Sequence, residues 1–253
     1  SVSLPRRPEF LHGRYPHHFL QLGVYCHAAR LRPGAGEIIG ELVFVDPTDG
    51  SKQTMALPDT AEADLLQQAE TLAAHAENRR ASHARLLNLP DRIPFKEPRP
   101  EWLQACADLD QATMESPIRL MVAPTGFGKT SAALRHGLSL LRSGRAGRLL
   151  YLTGKGTGQI QVLAELRRLA KPGELRALVL RPRSEHEIDG LSDDPEEIRR
   201  NWARAAIDPQ ALLADGAELR RIRELGRIAG VPPWDITKAM LGHAEVVICD
   251  YNY

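Results

Sequence analysis

The chain has 253 residues and a formal net charge of +1 at pH 7, with 33 Lys and Arg against 32 Asp and Glu. That length holds one large domain or two small ones, and the balanced charge excludes a global pull toward nucleic acid, so any basic footprint must be local. Cys26, Cys106 and Cys249 form neither a disulfide framework nor a CxxC pair, which fits a reducing cytoplasm, and no apolar run approaches the roughly 20 residues that span a bilayer, so no membrane partner is expected.

Residues 1–16 are rich in Pro and Arg and read as irregular. Residues 17–30 read as a helix, on which Gln21 and Tyr25 share a face at i and i+4. On spacing alone this is a helix with a half-buried Tyr and a solvent Gln. Strands are expected over 37–45 and 52–56, with hairpin-loop chemistry in Asp46-Pro-Thr-Asp-Gly50. A long amphipathic helix follows over 60–87, with Asp59 or Thr60 as N-cap. Pro90, Pro94, Pro98 and Pro100 then mark a linker over 88–100, and the domain boundary belongs there.

From Glu101 the pattern alternates between helix and strand. Helices are expected over 101–114, 129–142 and 159–170, and strands over 119–123, 148–153 and 176–180. Such alternation implies a parallel sheet with helices on both faces. Residues 181–230 are charged, mostly helical and read as an insertion; a short helix over 235–241 and a buried strand over 245–249 return the chain to the sheet. A natural chain seldom stops right after a core strand, so the sequence is expected to be a fragment of something longer.

The strongest local signal is Ala123-Pro-Thr125-Gly126-Phe127-Gly128-Lys129-Thr130, a Walker A phosphate loop with Ala in place of the first Gly. Its context is the required one, an aliphatic strand before and a helix after, apolar at Ala132, Ala133, Leu134, Leu138, Leu140 and Leu141. Loop N–H groups and the positive helix end form a nest for polyphosphate. Lys129 would neutralise the β- and γ-phosphates and Thr130 would ligate Mg²⁺, so ATP and Mg²⁺ are the expected cofactors.

A second loop, Thr153-Gly-Lys155-Gly-Thr157-Gly-Gln159, joins a strand to a helix. It is either a cradle for a nucleic-acid backbone through Thr153, Lys155, Thr157 and main-chain N–H groups, or an ordinary Gly-rich turn. Val246-Val-Ile-Cys-Asp250 looks like a Walker B strand, but no Glu follows Asp250 to activate water. Arg220, Arg221, Arg223 and Arg227 form a basic stripe that either touches nucleic acid or pairs with Glu218 and Glu224 on a surface helix. The nine histidines show no metal-ligand spacing with cysteines.

Taken in order, Arg99-Pro100 with Gln104, the phosphate loop as motif I, Tyr151–Gln159 as motif Ia and Ala244–Tyr253 resemble the start of an XPD/DinG-type superfamily-two DNA helicase. The resemblance implies a RecA-like P-loop fold, an α/β parallel sheet with helices on both faces and a helical insertion at about 181–243. It implies ATP bound by Gln104, Thr125, Gly126, Phe127, Gly128, Lys129 and Thr130, and single-stranded DNA held by Thr153, Lys155, Thr157 and Gln159. Asp250 is then not the metal acid. The catalytic DExH acids are expected beyond Tyr253, as is the second RecA-like domain, so the fragment alone should be inactive. Members often carry an iron–sulfur cluster on four cysteines, a ligand set such clusters require. No cysteine lies between Cys106 and Cys249, so none is expected here; packing around Trp202, Leu212, Leu213 and Trp234 should hold the insertion.

Residues 15–57 are similar to the tail of a RecB-type PD-(D/E)xK nuclease domain, with Gln21-Leu-Gly-Val-Tyr25 as its QxxxY motif. The metal-binding acids of that family precede this motif, and residues 1–20 hold no such pair. The expected organisation is therefore a small α+β nuclease-like remnant over 1–90 and an incomplete first RecA-like domain over 91–253. The alternatives are a self-contained P-loop nucleotide kinase or NTPase using Asp250, and a non-catalytic DNA-binding module.

Overall fold

The computed structural model describes residues 11, 14–34, 36–58, 61–112, 118–154, 156–214, 216 and 218–251. The chain divides into two compact units, residues 1–77 and 78–253.

In the first unit, α1 (Pro16–Arg30) buries Phe19, Gly23 and Cys26, one per turn on one face. A hairpin follows. β1 (Glu41–Val45) pairs antiparallel with β2 (Lys52–Ala56), Glu41 opposite Ala56 and Val45 opposite Lys52. The turn is built by Asp46, whose Oδ1 accepts from Thr48 N–H at 2.8 Å and whose carbonyl accepts from Gly50 N–H at 2.9 Å. Such side-chain mimicry of a turn is why Asp is favoured there. The first strand is shorter than the 37–45 expected. α2 (Ala61–Leu87) is the long helix, and its residues from Asn78 onward belong to the second unit. The candidate caps Asp59 and Thr60 lie outside the described residues.

The second unit is mixed α/β. After the linker come α3 (Pro100–Ala112), α4 (Lys129–Arg142), β3 (Leu149–Thr153), α5 (Gly156–Leu169) and β4 (Ala177–Val179). The inserted segment holds α6 (Arg183–His186), α7 (Pro195–Ala205), α8 (Pro209–Ala214) and α9 (Leu219–Ala229); α10 (Pro233–His243) leads into β5 (Val246–Asp250). The three strands are parallel in the order β3-β5-β4. β5 reads Val-Val-Ile-Cys and is buried along that whole run, as a central parallel strand must be.

Helices cover both faces of this sheet. Leu134, Leu138 and Leu141 of α4 and Val162 and Leu166 of α5 pack on Val246 and Ile248. On the other face Ile222, Val231, Ile236 and Met240 pack on Leu178 and Val247. The insertion is thus not a separate body but the cover of the second face. Of its expected core, Leu212 and Leu213 are buried and Trp202 packs beside them, whereas Trp234 sets its ring edge-on against His186 at 5.1 Å.

The expected strand at 119–123 needs correction. Residues 118–124 form neither helix nor strand, and Ile118, Leu120 and Val122 are 81%, 91% and 88% exposed. Only the other side of the segment packs, Met121 against Trp102 and Cys106. An aliphatic run is buried on both faces only when neighbouring strands and helices supply both, and here α3 and α4 supply one. Leu150 and Leu152 of β3 are likewise bare, at 57% and 52%.

The proline-rich linker is pinned rather than loose. Arg92 donates through both Nη atoms to the Glu174 carboxylate, Nη2 to Oε1 at 2.7 Å, and Nη1 reaches Leu169 O at 3.3 Å. That ion pair, helped by the Lys171 N–H, holds the Glu174 carboxyl at about 2, well below its usual value. A carboxyl depressed in the folded state contributes stability that is whole above about 4.5 and drains away as pH falls toward 2. Arg92→Gln is expected to flatten the acid limb of a pH series of urea midpoints across that window. An unchanged slope would show the pair to be energetically idle. Among the described residues no helix is long and apolar enough to cross a membrane.

Candidate functional site

Residues 123–128 turn tightly into α4. Phe127 N–H donates to Pro124 O at 3.3 Å, and Gly126 and Gly128 sit at φ 79° and 94°. Gly128 is the N-cap of α4, with no side chain capping the helix and no acid in its first turn. The first N–H groups of a helix have no intrahelical partner, so this end presents uncapped donors and a positive dipole. Lys129 Nζ donates to the carbonyls of Ala123 and Pro124 at 2.7 and 3.0 Å, which draws its charge over the loop. Thr130 is half-buried in the first turn, and Thr125 and Gly126 are exposed at the tip.

One residue that holds this loop escaped the sequence reading. Trp102 on α3 is 1% exposed and donates from Nε1 to Gly128 O at 3.2 Å. Phe95 meets it edge-on at 5.2 Å, and Phe127 of the loop packs into the same cluster. A Cβ on Gly128 would come within 3.1 Å of the indole nitrogen, a tight contact, and φ 94° itself favours Gly there. Ser131 adds a bond from Oγ to Gly128 O at 2.9 Å. The only sequence signal for Trp102 was its place just inside a Pro-initiated helix ahead of the motif. Burial pushes the thiol of neighbouring Cys106 up, so it is protonated filling rather than a nucleophile. Gln104 lies on the solvent side of α3 and donates to Asp108 Oδ1 at 2.8 Å.

The second loop sits at the carboxyl edge of the sheet, the side where open α/β sheets bind ligands. Thr153 ends β3 in register with Asp250, which ends β5. Lys155 lies outside the described residues. α5 starts at Gly156, three residues earlier than expected, so Thr157 is exposed in its first turn while Gln159 points inward. Gln159 is 2% exposed and its Oε1 is buried without a hydrogen-bond partner. The glycines between are contacts: Gly158 lies against Thr153 Oγ1 and Gly154 against the Tyr251 ring, with no room for a Cβ at either.

Gln21 and Tyr25 meet as spaced, Nε2 donating to Oη at 2.8 Å on the exposed surface of α1, with Tyr25 61% exposed. Among the described residues no group of three or more His, Cys, Asp or Glu is placed to hold a metal ion. No family model matches this chain, and a search of curated proteins finds no significant match.

Proposed function

We propose that residues 78–253 form a nucleotide-binding, RecA-like domain of an ATP-dependent DNA helicase, with single-stranded DNA crossing the carboxyl edge of the sheet. The observation that carries this reading is the uncapped N-terminus of α4 at Gly128, with Lys129 drawn over the loop and Thr130 in the first turn. The residues fit ATP and Mg²⁺: free N–H donors and one cation suit a polyphosphate, and a hydroxyl in the first helical turn suits Mg²⁺. Bound ATP with Mg²⁺ would supply the phosphoryl chemistry. The chain's own residues bind and orient it, Gly128 by close approach, Lys129 by charge and Trp102 by fixing the loop from behind.

The bare apolar edge of 118–122 and the bare side of β3 support a larger RecA-like sheet in which residues 118–123 take a strand position. On this reading Thr153, at the carboxyl edge of the sheet, and Thr157, exposed in the first turn of α5, touch the DNA backbone from the next loop.

The test is titration of a fluorescent ATP analogue with Mg²⁺. Lys129→Ala removes one charge-assisted bond, worth about 1.5–3 kcal/mol, so affinity should fall roughly 10- to 150-fold. Equal affinity in the variant would overturn the site.

One observation favours a second reading. Asp250 ends the central strand at the carboxyl edge beside Thr153, where a Walker B acid belongs, as in a self-contained kinase or NTPase. On that reading phosphoryl transfer proceeds without DNA and Asp250→Asn abolishes it.

A further inference from the structure

The order β3-β5-β4 leaves one side of β4 unpaired among the described residues. The ladder fixes which residues face outward. Arg176 O accepts from Val246 N–H at 3.1 Å, and Leu180 N–H donates to Ile248 O at 2.8 Å. Residues 176, 178 and 180 therefore direct their backbone groups at β5. Ala177 and Val179 direct theirs away from it, because alternate residues of a strand bond to opposite sides. An open edge of this kind is a template for another strand.

This edge does not face open solvent. It opens into a groove of 710 Å³ walled by α5 on one side and by α8 and α9 on the other. The floor is aliphatic, with Leu163, Leu166, Leu175, Leu213 and Ile222. Among the described residues the lining carries four cations, Arg167, Lys171, Arg181 and Arg220, against one carboxylate, Glu218. His186 adds no charge: burial lowers its affinity for a proton, and its Nδ1–H is spent on Pro182 O at 2.9 Å.

We propose that this groove takes an extended acidic peptide of a partner protein by strand addition to β4. The peptide backbone would pair with Ala177 and Val179. Its apolar side chains would enter the aliphatic floor, and its carboxylates would meet Arg167, Lys171, Arg181 and Arg220 at the rim. Strand addition of this kind draws affinity from main-chain bonds and specificity from pockets at alternate side chains. A single-stranded nucleic acid fits less well. It needs aromatic faces on which bases stack, and among the described residues no Phe, Tyr or Trp lines the groove. A peptide edge also satisfies the N–H and C=O groups of Ala177 and Val179, which a phosphodiester, having no N–H to donate, does not.

The probe is a fluorescein-labelled octapeptide of alternating Val and Glu, read by anisotropy against the 253-residue chain. Binding is expected at roughly 100 μM, a short weak interface. N-methylation of the alternate amides on one peptide edge should abolish it, while methylation of the other edge leaves it intact. Replacing Glu by Lys in the peptide should also abolish it. The double variant Arg167→Glu, Arg220→Glu should weaken binding about tenfold or more through charge reversal. That variant should keep the parent's circular dichroism and its ATP-analogue affinity, so failure here is distinguishable from failure of the nucleotide site. No anisotropy change up to about 1 mM, or equal binding of both N-methylated peptides, would overturn the proposal. Displacement of the peptide by an oligothymidylate would assign the groove to nucleic acid and overturn it too.

Discussion

Replacing Glu245 with Ala is expected to cost about 3 kcal/mol of folding stability, a large share of the 5–15 kcal/mol that holds a typical domain together. Glu245 is 0% exposed at the amino edge of the sheet, opposite the edge that carries Thr153 and Asp250. Its carboxylate accepts from Ser82 Oγ at 2.6 Å, from Arg85 Nη2, and from Arg176 N–H at 2.8 Å. Arg176 in turn donates from Nη1 to Asn78 Oδ1 at 2.8 Å, and Asn78 Nδ2 meets His243 Nδ1 at 2.7 Å. Burial, together with the charge of Arg85, makes the Arg176 guanidinium less willing to hold its proton, and the Glu245 carboxylate, followed by Asp208, works against that. Removing the Glu245 carboxylate leaves three donors without their acceptor, and an unpaired buried donor costs its full desolvation. The denaturant midpoint should drop accordingly. The pair replacement Arg85→Met, Glu245→Leu should cost less than Glu245→Ala alone, because it removes the charge and its partner together. A Glu245→Ala chain within about 1 kcal/mol of the parent would show that water re-enters and that the network is not structural.

That network also shows where sequence reading stops. The glycine turn at 123–128 and the helix behind it were legible, α4 to the residue, because glycine spacing and an aliphatic helix face are both local signals. β5 was legible for the same reason, as an unbroken buried run. Glu245 fell inside the buried strand expected over 245–249, but its role was not legible, since its partners Ser82 and Arg85 lie 163 and 160 residues away. Residues 119–123 read as a buried strand because aliphatic content says nothing about whether a partner strand is at hand. The start of α5 was placed late because two of the first three residues of the helix are Gly, poor helix formers that tertiary packing against Thr153 overrides here. The groove beside β4 was invisible, since it depends on strand order and on where four helices of the inserted segment come to rest.

The same limit hid Trp102, and its substitution is the other large effect expected. Trp102→Ala should destabilise the chain by about 3–5 kcal/mol, the usual cost of emptying a large aromatic site. It should also weaken the fluorescent ATP analogue by more than any loss of folded protein explains. The reason is geometric. The indole fills the space behind Gly128, holds the Gly128 carbonyl through Nε1, and packs with Phe95 and Phe127. Without it the turn at φ 94° has nothing to rest against, and the first N–H groups of α4 lose their fixed direction. Trp102→Phe separates the two contributions. Phe keeps most of the apolar contact but has no N–H, so it should cost about 1 kcal/mol for the lost bond and relax the loop only partly. Measured at concentrations where each variant is folded, affinity should fall in the order parent, Trp102→Phe, Trp102→Ala. If folded Trp102→Ala binds the analogue as tightly as the parent, the loop holds its shape by its own glycines and Lys129, and Trp102 is core packing alone.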